Sequence, residues 1–243
     1  MSSPDPGRDV WADRAVACSS PVAWISRSAL SANARLAWGD GLRLFSPSIV
    51  EADAWGHGAG LVSEVLASEG FVPAEEHRRS SAARDSPPPV AERGATLSPE
   101  TLFGLPGGSE ATRPALRLTG TVLSVKDLRA GEGVSYGFAY RAPVDTRVAL
   151  VTGGYAQGIV RALGGTADVA IAGERHPIVG RVAMDVCVVE IQDAAARRAD
   201  DVLFLGDPAR EEPSLAGWVR GTGLRPAELI TTVGLRAIRR EAP

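Results

Sequence analysis

The chain has 243 residues, of which 44% are hydrophobic, and a formal net charge of −3 at pH 7. This composition is ordinary for a globular protein with a sizeable core, and so mild a charge gives no reason to expect nucleic acid or an acidic membrane as a partner. Cys18 and Cys187 provide neither a disulfide framework nor a metal-ligand spacing. The N-terminus lacks a signal-peptide pattern, and no apolar run approaches the ~20 residues of a membrane span. We therefore expect a soluble, cytoplasmic protein without a metal site.

The first 72 residues predict a loose N-terminus followed by an α/β region. Residues 1–20 are polar. After them, apolar runs alternate with amphipathic stretches, and Ser26 is a plausible N-cap for the first helix. The predicted elements are a strand at 22–25, a helix from 26 to 37, a strand at 42–50 and a helix that begins at 61. Strands and helices that alternate at this spacing are typical of parallel βα units, which we assign to residues 21–72.

Residues 73–113 predict a flexible linker. The stretch contains Pro87-Pro88-Pro89, paired glycines and many charges. It has almost no periodic apolar pattern, so it offers no face that a core could bury. A flexible segment of roughly 40 residues has a typical reach of about 35 Å.

Residues 114–243 predict a strand-rich domain, because short apolar runs alternate with turn signals such as Ala130-Gly131. The predicted strands cover 116–125, 134–140, 147–152, 167–172, 181–191 and 201–205, with one short helix at 214–221. In the fifth strand, apolar residues recur at period two, which predicts that their face is half buried. These residues are Val182, Met184, Val186 and Val188. Several closely spaced short strands favour an antiparallel barrel or sandwich.

Lys126 is the only lysine in the sequence. Any mechanism that needs a lysine amine must therefore use this residue. It lies at the end of a predicted strand, just before Asp127 and a turn, where a solvated surface lysine is expected. The terminal arginines Arg236, Arg239 and Arg240 are most simply interpreted as a solvated terminus.

Four motifs carry a resemblance to a known family. They are Gly-Val-Ser-Tyr-Gly at 133–137, Gly-Tyr-Ala-Gln-Gly at 154–158 with Arg161 after it, Pro-Ile-Val-Gly-Arg-Val-Ala-Met-Asp at 177–185, and Ala-Asp-Ala-Trp-Gly-His-Gly at 52–58. In this order and spacing they resemble the fold-type III, pyridoxal-phosphate-dependent alanine racemases. Three of them fall within some 50 residues, which makes chance coincidence very unlikely.

The resemblance implies a fold and shows where the chain departs from it. The family has an eight-stranded α/β barrel followed by a β domain, and it assembles as a head-to-tail homodimer. A closed barrel of that kind takes roughly 200 residues or more, whereas the stretch from Gly58 to Leu116 has room for one further βα unit. We therefore expect a mainly β, barrel-like C-terminal domain with an incomplete α/β, TIM-barrel-like N-terminal remnant.

Glu51 occupies the position at which the family has the lysine that forms an imine with the cofactor. A carboxylate cannot form a Schiff base, and its negative charge would repel the phosphate of pyridoxal phosphate. Trp55 replaces a tyrosine whose hydroxyl could bond that phosphate. No cofactor-binding residue of the family's barrel can be assigned to this chain, so binding of pyridoxal phosphate is not expected. We interpret His57, in the same motif, as a structural residue that orients a strand–helix turn.

Tyr155 matches the second catalytic base of the family, a tyrosine that acts in the partner's active site. The pKa of a free phenol is near 10, so such a base needs positive charge nearby. Gln157 stands where the family usually has aspartate. Met184 and Asp185 match residues near the substrate carboxylate. A late phosphate-binding tyrosine is replaced by alanine at Ala227, just before a glutamate.

Three hypotheses follow from these positions. The first is an alanine racemase homologue that is catalytically impaired or inactive on its own, because Glu51 and Lys126 leave the reaction without its amine. The second is an accessory or regulatory subunit that docks onto a full-length racemase, since the family's active site is shared between chains. The third is an active but divergent racemase. A homodimer and a heteromer with a full-length racemase both remain open.

Overall fold

The computed structural model describes residues 20–36, 43–74 and 97–242. Its strands are β1 (Val22–Ile25), β2 (Leu44–Phe45), β3 (Val72–Pro73), β4 (Leu116–Leu128), β5 (Gly133–Val134), β6 (Tyr140–Arg141), β7 (Thr146–Thr152), β8 (Asp168–Ile171), β9 (Glu174–Val179), β10 (Val186–Glu190), β11 (Asp201–Leu205) and β12 (Ile238–Glu241). Its helices are α1 (Arg27–Leu36), α2 (Glu51–Trp55), α3 (Ala59–Ser68), α4 (Pro99–Phe103), α5 (Leu215–Thr222) and α6 (Pro226–Arg236). Within these described ranges, no helix is long and apolar enough to cross a membrane.

Six strands form the closed barrel of the C-terminal part. They are hydrogen-bonded in the order β4–β11–β8–β9–β10–β7 and back to β4. Strand β4 closes the ring because it is 13 residues long. Its first half pairs with β11, its second half pairs with β7, and a register shift lies between Val122 and Ser124. Closure leaves the barrel without a free edge. The predicted barrel-like β domain is confirmed.

Strand β1 joins the β-domain sheet, although the sequence suggested a parallel βα unit for it. Val22 lies opposite Thr119 of antiparallel β4 and opposite Ile238 of parallel β12. The indole Nε1 of Trp24 donates a hydrogen bond of 2.9 Å to the Thr119 hydroxyl. Ser26 caps α1 as expected, since its Oγ accepts from the Ala29 backbone N–H at 3.1 Å.

The α/β remnant consists of β2 and β3 with the helical segment between them. Leu44 lies opposite Val72 in a parallel pair, and Phe45 forms a parallel bridge with Leu97 on its other side. Strand β2 is shorter than predicted because Pro47 begins a 3₁₀ turn over Pro47–Ile49. The incomplete α/β remnant is therefore present, and its parallel structure consists of β2, β3 and the bridge at Leu97.

The predicted linker contains ordered structure in its described part. Residues 75–96 lie outside the described ranges, as do 1–19 of the predicted loose N-terminus. Helix α4 begins after Ser98, whose Oγ accepts from the Thr101 N–H at 3.1 Å, and both Leu102 and Phe103 are fully buried. The buried side chain of Asn33, on α1, hydrogen-bonds to this segment at two points. Its Nδ2 donates to the carbonyl of Leu102 at 3.0 Å, and its Oδ1 accepts from the Arg113 N–H at 3.0 Å. The flexible-linker interpretation therefore does not hold for residues 97–113. The proposed domain boundaries remain predictions.

One hydrophobic core is shared by the remnant and the β domain. It includes Leu30 and Val62 from the N-terminal helices as well as Val169, Phe204 and Leu229 from the C-terminal part. The remnant thus covers its apolar surface by packing on the β domain.

The period-two prediction around β10 is only partly correct: Val182 is buried but precedes the strand, and Val186 and Val188 are half-buried. Cys187 and Val189 are buried, whereas Met184 is exposed. The period-two pattern misleads because the strand begins only at Val186. The preceding residues form a turn in which the Ala183 N–H donates to the Val186 carbonyl at 3.0 Å. Burial raises the pKa of the Cys187 thiol to about 12, so this cysteine is inert at neutral pH.

Candidate functional site

The segment that follows Glu51 adopts a left-handed helical turn. Ala52, Asp53, Ala54 and Trp55 all have φ between 47° and 55°. This conformation costs L-residues roughly 1–2 kcal/mol each, so the surrounding structure must hold it in place. Glu51 itself is exposed at the start of this turn.

Asp53 and Arg239 hold the left-handed turn. The Asp53 Oδ1 accepts a hydrogen bond of 2.7 Å from the Ala59 backbone N–H, and its Oδ2 pairs with the Arg239 guanidinium at 2.6 Å. The same guanidinium donates to the Gly56 carbonyl at 3.2 Å. The Ala59 N–H, and then Arg239, lower the pKa of Asp53 from its ordinary value. Arg239 therefore stabilises the left-handed turn, and the interpretation of this residue as part of a solvated terminus is wrong.

His57 is buried beneath this turn. Its ring stacks on Phe103 with centroids 4.1 Å apart and an interplanar angle of 9°, and Nδ1 lies 3.1 Å from the Ala54 carbonyl. Burial lowers the pKa of His57 to about 4, so the ring is neutral near pH 7. Within the part of the chain that the structure describes, its Nε2 has no hydrogen-bond partner. These contacts agree with the structural role expected for His57.

Tyr155, Met184 and Asp185 meet on the surface of the β barrel. The backbone N–H of Tyr155 donates to the Ala183 carbonyl at 2.9 Å, and the amide of Gln157 donates to Asp185 Oδ1 at 3.2 Å. Tyr155 is 38% exposed and Met184 is 55% exposed. The loops fit closely, because a Cβ on Gly154 would collide with the Met184 carbonyl. We call this region, residues 154–157 and 183–185, the tyrosine surface.

Arg161 places a positive charge beside Tyr155. The guanidinium carbon lies 5.4 Å from the centroid of the tyrosine ring, which is within the range of a cation–π interaction. The tyrosine surface can therefore present a phenol and a carboxylate to an adjoining molecule.

The chain matches the protein family described as alanine racemase, C-terminal domain, over residues 115–241. The chain belongs to the alanine racemase family. It is 41% identical over 128 residues to the alanine racemase of Mycobacterium leprae, a match that covers 52% of this chain and 33% of the relative. It is 37% identical over 147 residues to that of Frankia casuarinae, which covers 60% of this chain and 36% of the relative. The matched region thus spans about a third of each of these curated relatives.

Solved alanine racemases share the fold. The enzyme from Streptomyces coelicolor A3(2) superposes with a TM-score of 0.75 at 20% identity, covering 93% of this chain and 99% of that chain. The enzyme from D-cycloserine-producing Streptomyces lavendulae gives a TM-score of 0.74 at 20% identity, covering 92% and 97%.

The residues around Glu51 do not fit the cofactor that alanine racemases use. The motif at 52–58 implies that Glu51 stands where an imine to pyridoxal phosphate needs an amine, and the Glu51 side chain is a carboxylate. Lys126 is no substitute, because it is exposed on β4 opposite Val148 of β7.

The structure gathers three of the sequence-predicted residues, Tyr155, Met184 and Asp185, into one group. In the described ranges, no hydrogen bond or ion pair joins Glu51 to Tyr155, Met184 or Asp185. Sequence reasoning missed Arg239 and Gly234, although both contact the alanine racemase signature at 52–58. Nothing in the sequence distinguishes Arg239 from its neighbour Arg240, so the ion pair between Arg239 and Asp53 could not be predicted.

Replacing Ala52 by glycine tests the strain in the left-handed turn. Ala52→Gly is expected to raise the free energy of unfolding by about 0.5–1 kcal/mol, because the relief of roughly 1–2 kcal/mol exceeds the entropy cost of glycine. Ala67→Gly is the control, since exposed Ala67 lies in right-handed α3. There the same change should lower stability by up to about 1 kcal/mol. Chemical denaturation measures both; equal losses would show that Ala52 is unstrained.

Proposed function

We propose that this chain is a non-catalytic alanine racemase homologue, unable to interconvert L- and D-alanine unaided. The observation that carries the proposal is Glu51, a carboxylate at the position where the reaction needs an amine. Lys126, the only lysine of the sequence, is exposed on β4. Pyridoxal phosphate acts by withdrawing electrons from the substrate. Without an amine at this position, the protein cannot hold that cofactor through an imine bond.

The fragmentary barrel supports the same proposal. Alanine racemases enclose the cofactor in a complete α/β barrel, which takes roughly 200 residues or more. Here the described parallel segments are β2, β3 and the bridge at Leu97. A further βαβ unit takes about 30 residues, and the chain between Ala74 and Leu97 is shorter than that.

Incubation with pyridoxal phosphate tests the proposal directly. The absorption spectrum before and after borohydride reduction, mass mapping of any reduced adduct, and conversion of L-alanine to D-alanine are measured together. We expect no racemisation, and any adduct should map to Lys126 or to an N-terminal amine. Lys126→Arg should remove the lysine adduct and serves as the control for adventitious labelling. A holoprotein that interconverts the two enantiomers would overturn the proposal.

Glu51→Lys separates the loss of the amine from the loss of the barrel. If the incomplete barrel is an independent defect, this variant should remain without racemase activity even when it forms an imine. The assay is conversion of L- to D-alanine in the presence of pyridoxal phosphate. Activity gained through this single substitution would show that the remaining chain suffices to enclose the cofactor.

A second candidate function is that of an accessory subunit for a full-length racemase. The favouring observation is a run of exposed apolar side chains beside Tyr155. Tyr136 is 74% exposed and Phe138 is 63% exposed, and the Ser135 hydroxyl accepts a bond of 3.1 Å from the N–H of Arg181, on the segment that leads to Met184. Exposed aromatic and methionine side chains are typical of the centres of protein interfaces.

Co-expression with a full-length alanine racemase tests this second function. We expect co-elution in size-exclusion chromatography and its loss in a Phe138→Glu, Met184→Glu double variant, because both charges would fall in the interface. Leu36→Glu is the matched control, since exposed Leu36 lies on α1. Self-association without co-elution would favour a homodimer, and a monomer under all conditions would exclude both assemblies.

A further inference from the structure

A cavity beside α5 of the β domain has the donors of an anion site. It has a volume of about 390 Å³ and lies between α5 and the first residues of β8 and β9. One wall is a face of the helix, with Ser214, Gly217, Trp218 and Gly221 at the spacing of helical neighbours. Gly217 leaves room there, because a Cβ on it would meet nothing closer than the Arg220 guanidinium at 3.9 Å, whereas Gly221 packs closely against Thr166.

Two arginines supply the positive charge. Arg175 is held rigidly, because its guanidinium donates to the backbone carbonyl of Glu212 at 2.7 Å and twice to that of Glu211 at 3.1 and 3.2 Å. Arg220 lies across the cavity on the exposed side of the helix. Among the described residues, none forms a hydrogen bond or ion pair with the Arg220 side chain. Arg220 therefore brings to the cavity a second positive charge that no described residue pairs with.

The helix adds donors that no protein atom satisfies. Trp218 is 2% exposed and lines the cavity, and no atom of the described residues accepts a hydrogen bond from its indole Nε1–H. A buried N–H left unpaired costs about 1–3 kcal/mol, which indicates a missing acceptor. Ser214 is the N-cap of α5, yet its hydroxyl makes no capping bond. The helix N-terminus adds a partial positive charge at the same place.

Acceptors are scarce in the cavity wall. Asp168 is the one acidic side chain among the lining residues, and it lies 4.0 Å from Arg175. The Thr166 hydroxyl already donates to the Ala162 carbonyl at 2.9 Å. Donors from Arg175, Arg220, Trp218 and Ser214 outnumber the two oxygens of a carboxylate ligand, whereas a phosphate group offers three or four acceptor oxygens.

We infer that this cavity binds a phosphate group, held by the Arg175 and Arg220 guanidinium groups, the Trp218 indole N–H and the Ser214 hydroxyl. The phosphate is either the free ion or the terminal group of a small phosphate monoester. This site is independent of the alanine racemase signature and of the tyrosine surface, and its existence does not depend on either proposed function.

Titration with inorganic phosphate tests the inference. The five tryptophans give five indole N–H resonances in a ¹H–¹⁵N spectrum, and Trp218→Phe identifies the one from Trp218. We expect that resonance to shift saturably, with one phosphate bound per chain by calorimetry. Glycerol 3-phosphate is the second arm: tighter binding than inorganic phosphate identifies an ester as the ligand, and equal or weaker binding identifies the free ion.

Arg220→Gln is the decisive variant, because Arg220 is exposed and its loss should leave the fold intact. The affinity for phosphate should fall about tenfold or more, as expected when a hydrogen bond from a charged donor is removed. Arg198→Gln removes an exposed arginine outside the cavity and should leave the affinity unchanged. Absence of saturable binding by the wild-type chain, or equal affinities in both variants, would overturn the inference.

Discussion

Gly234→Ala is expected to lower the free energy of unfolding by about 1–2 kcal/mol, measured by chemical denaturation. Gly234 lies in α6 against the signature turn, and a Cβ there would meet the Gly56 carbonyl and come within 2.7 Å of its Cα. Both contacts are to backbone, so no side-chain rotation can relieve them. Overpacking of this kind costs roughly 1–3 kcal/mol. The cost exceeds the gain of up to about 1 kcal/mol from helix propensity.

Gly60→Ala is the matched control for this prediction. Gly60 lies in α3, and a Cβ built there meets nothing within 4 Å. The substitution should therefore raise stability by up to about 1 kcal/mol through helix propensity alone. If Gly234→Ala were stabilising to the same extent, α6 and the signature turn could separate without cost. The remnant would then be a loosely attached segment rather than part of the shared core.

A helix or strand of this fold could be predicted from the sequence where its own hydrophobic pattern matches its burial in the structure. The strand predicted at 201–205 is observed with these bounds, because its apolar run is buried from Val202 onwards. The helix predicted at 214–221 is observed at Leu215–Thr222. In each case the deciding signal lies within the element itself.

Long-range pairing could not be predicted from local patterns. Strand β1 is a short apolar run, and nothing within it indicates that its neighbours are Thr119 and Ile238 rather than a second βα strand. Strand β12 was missed altogether because Arg239 and Arg240 resemble a solvated end. Both strands are defined by partners about 95 or more residues away in the sequence.

The same distinction between local pattern and long-range contact decides which residues of the candidate site could be predicted. Tyr155, Met184 and Asp185 were found through motifs, and the barrel brings them together as those motifs imply. The phosphate cavity has no motif, because Arg175 of β9 meets Ser214 and Trp218 of α5 only through the fold. The identity of the residue at 51 could be read directly, since a carboxylate lacks the required chemistry in any fold.

His57 should make the protein less stable in mild acid. Burial lowers its folded-state pKa to about 4 from the ordinary 6.5, so between these values the unfolded chain binds more protons than the folded one. Stability then falls as the pH decreases through this window. With these pKa values, we expect the free energy of unfolding to drop by about 2 kcal/mol from pH 7 to pH 5.

Replacing His57 by phenylalanine isolates this contribution. Carboxylates with a lowered pKa, such as Asp53 and Glu212, lose their contribution only at still lower pH, below about 4.5. The other two histidines are common to both proteins. The His57→Phe variant should therefore show a pH 7 to pH 5 loss that is smaller by about 2 kcal/mol, whatever its absolute stability. The same loss in both proteins would mean that His57 is hydrated and protonated in the folded state, and that the stack on Phe103 does not exclude water from the ring.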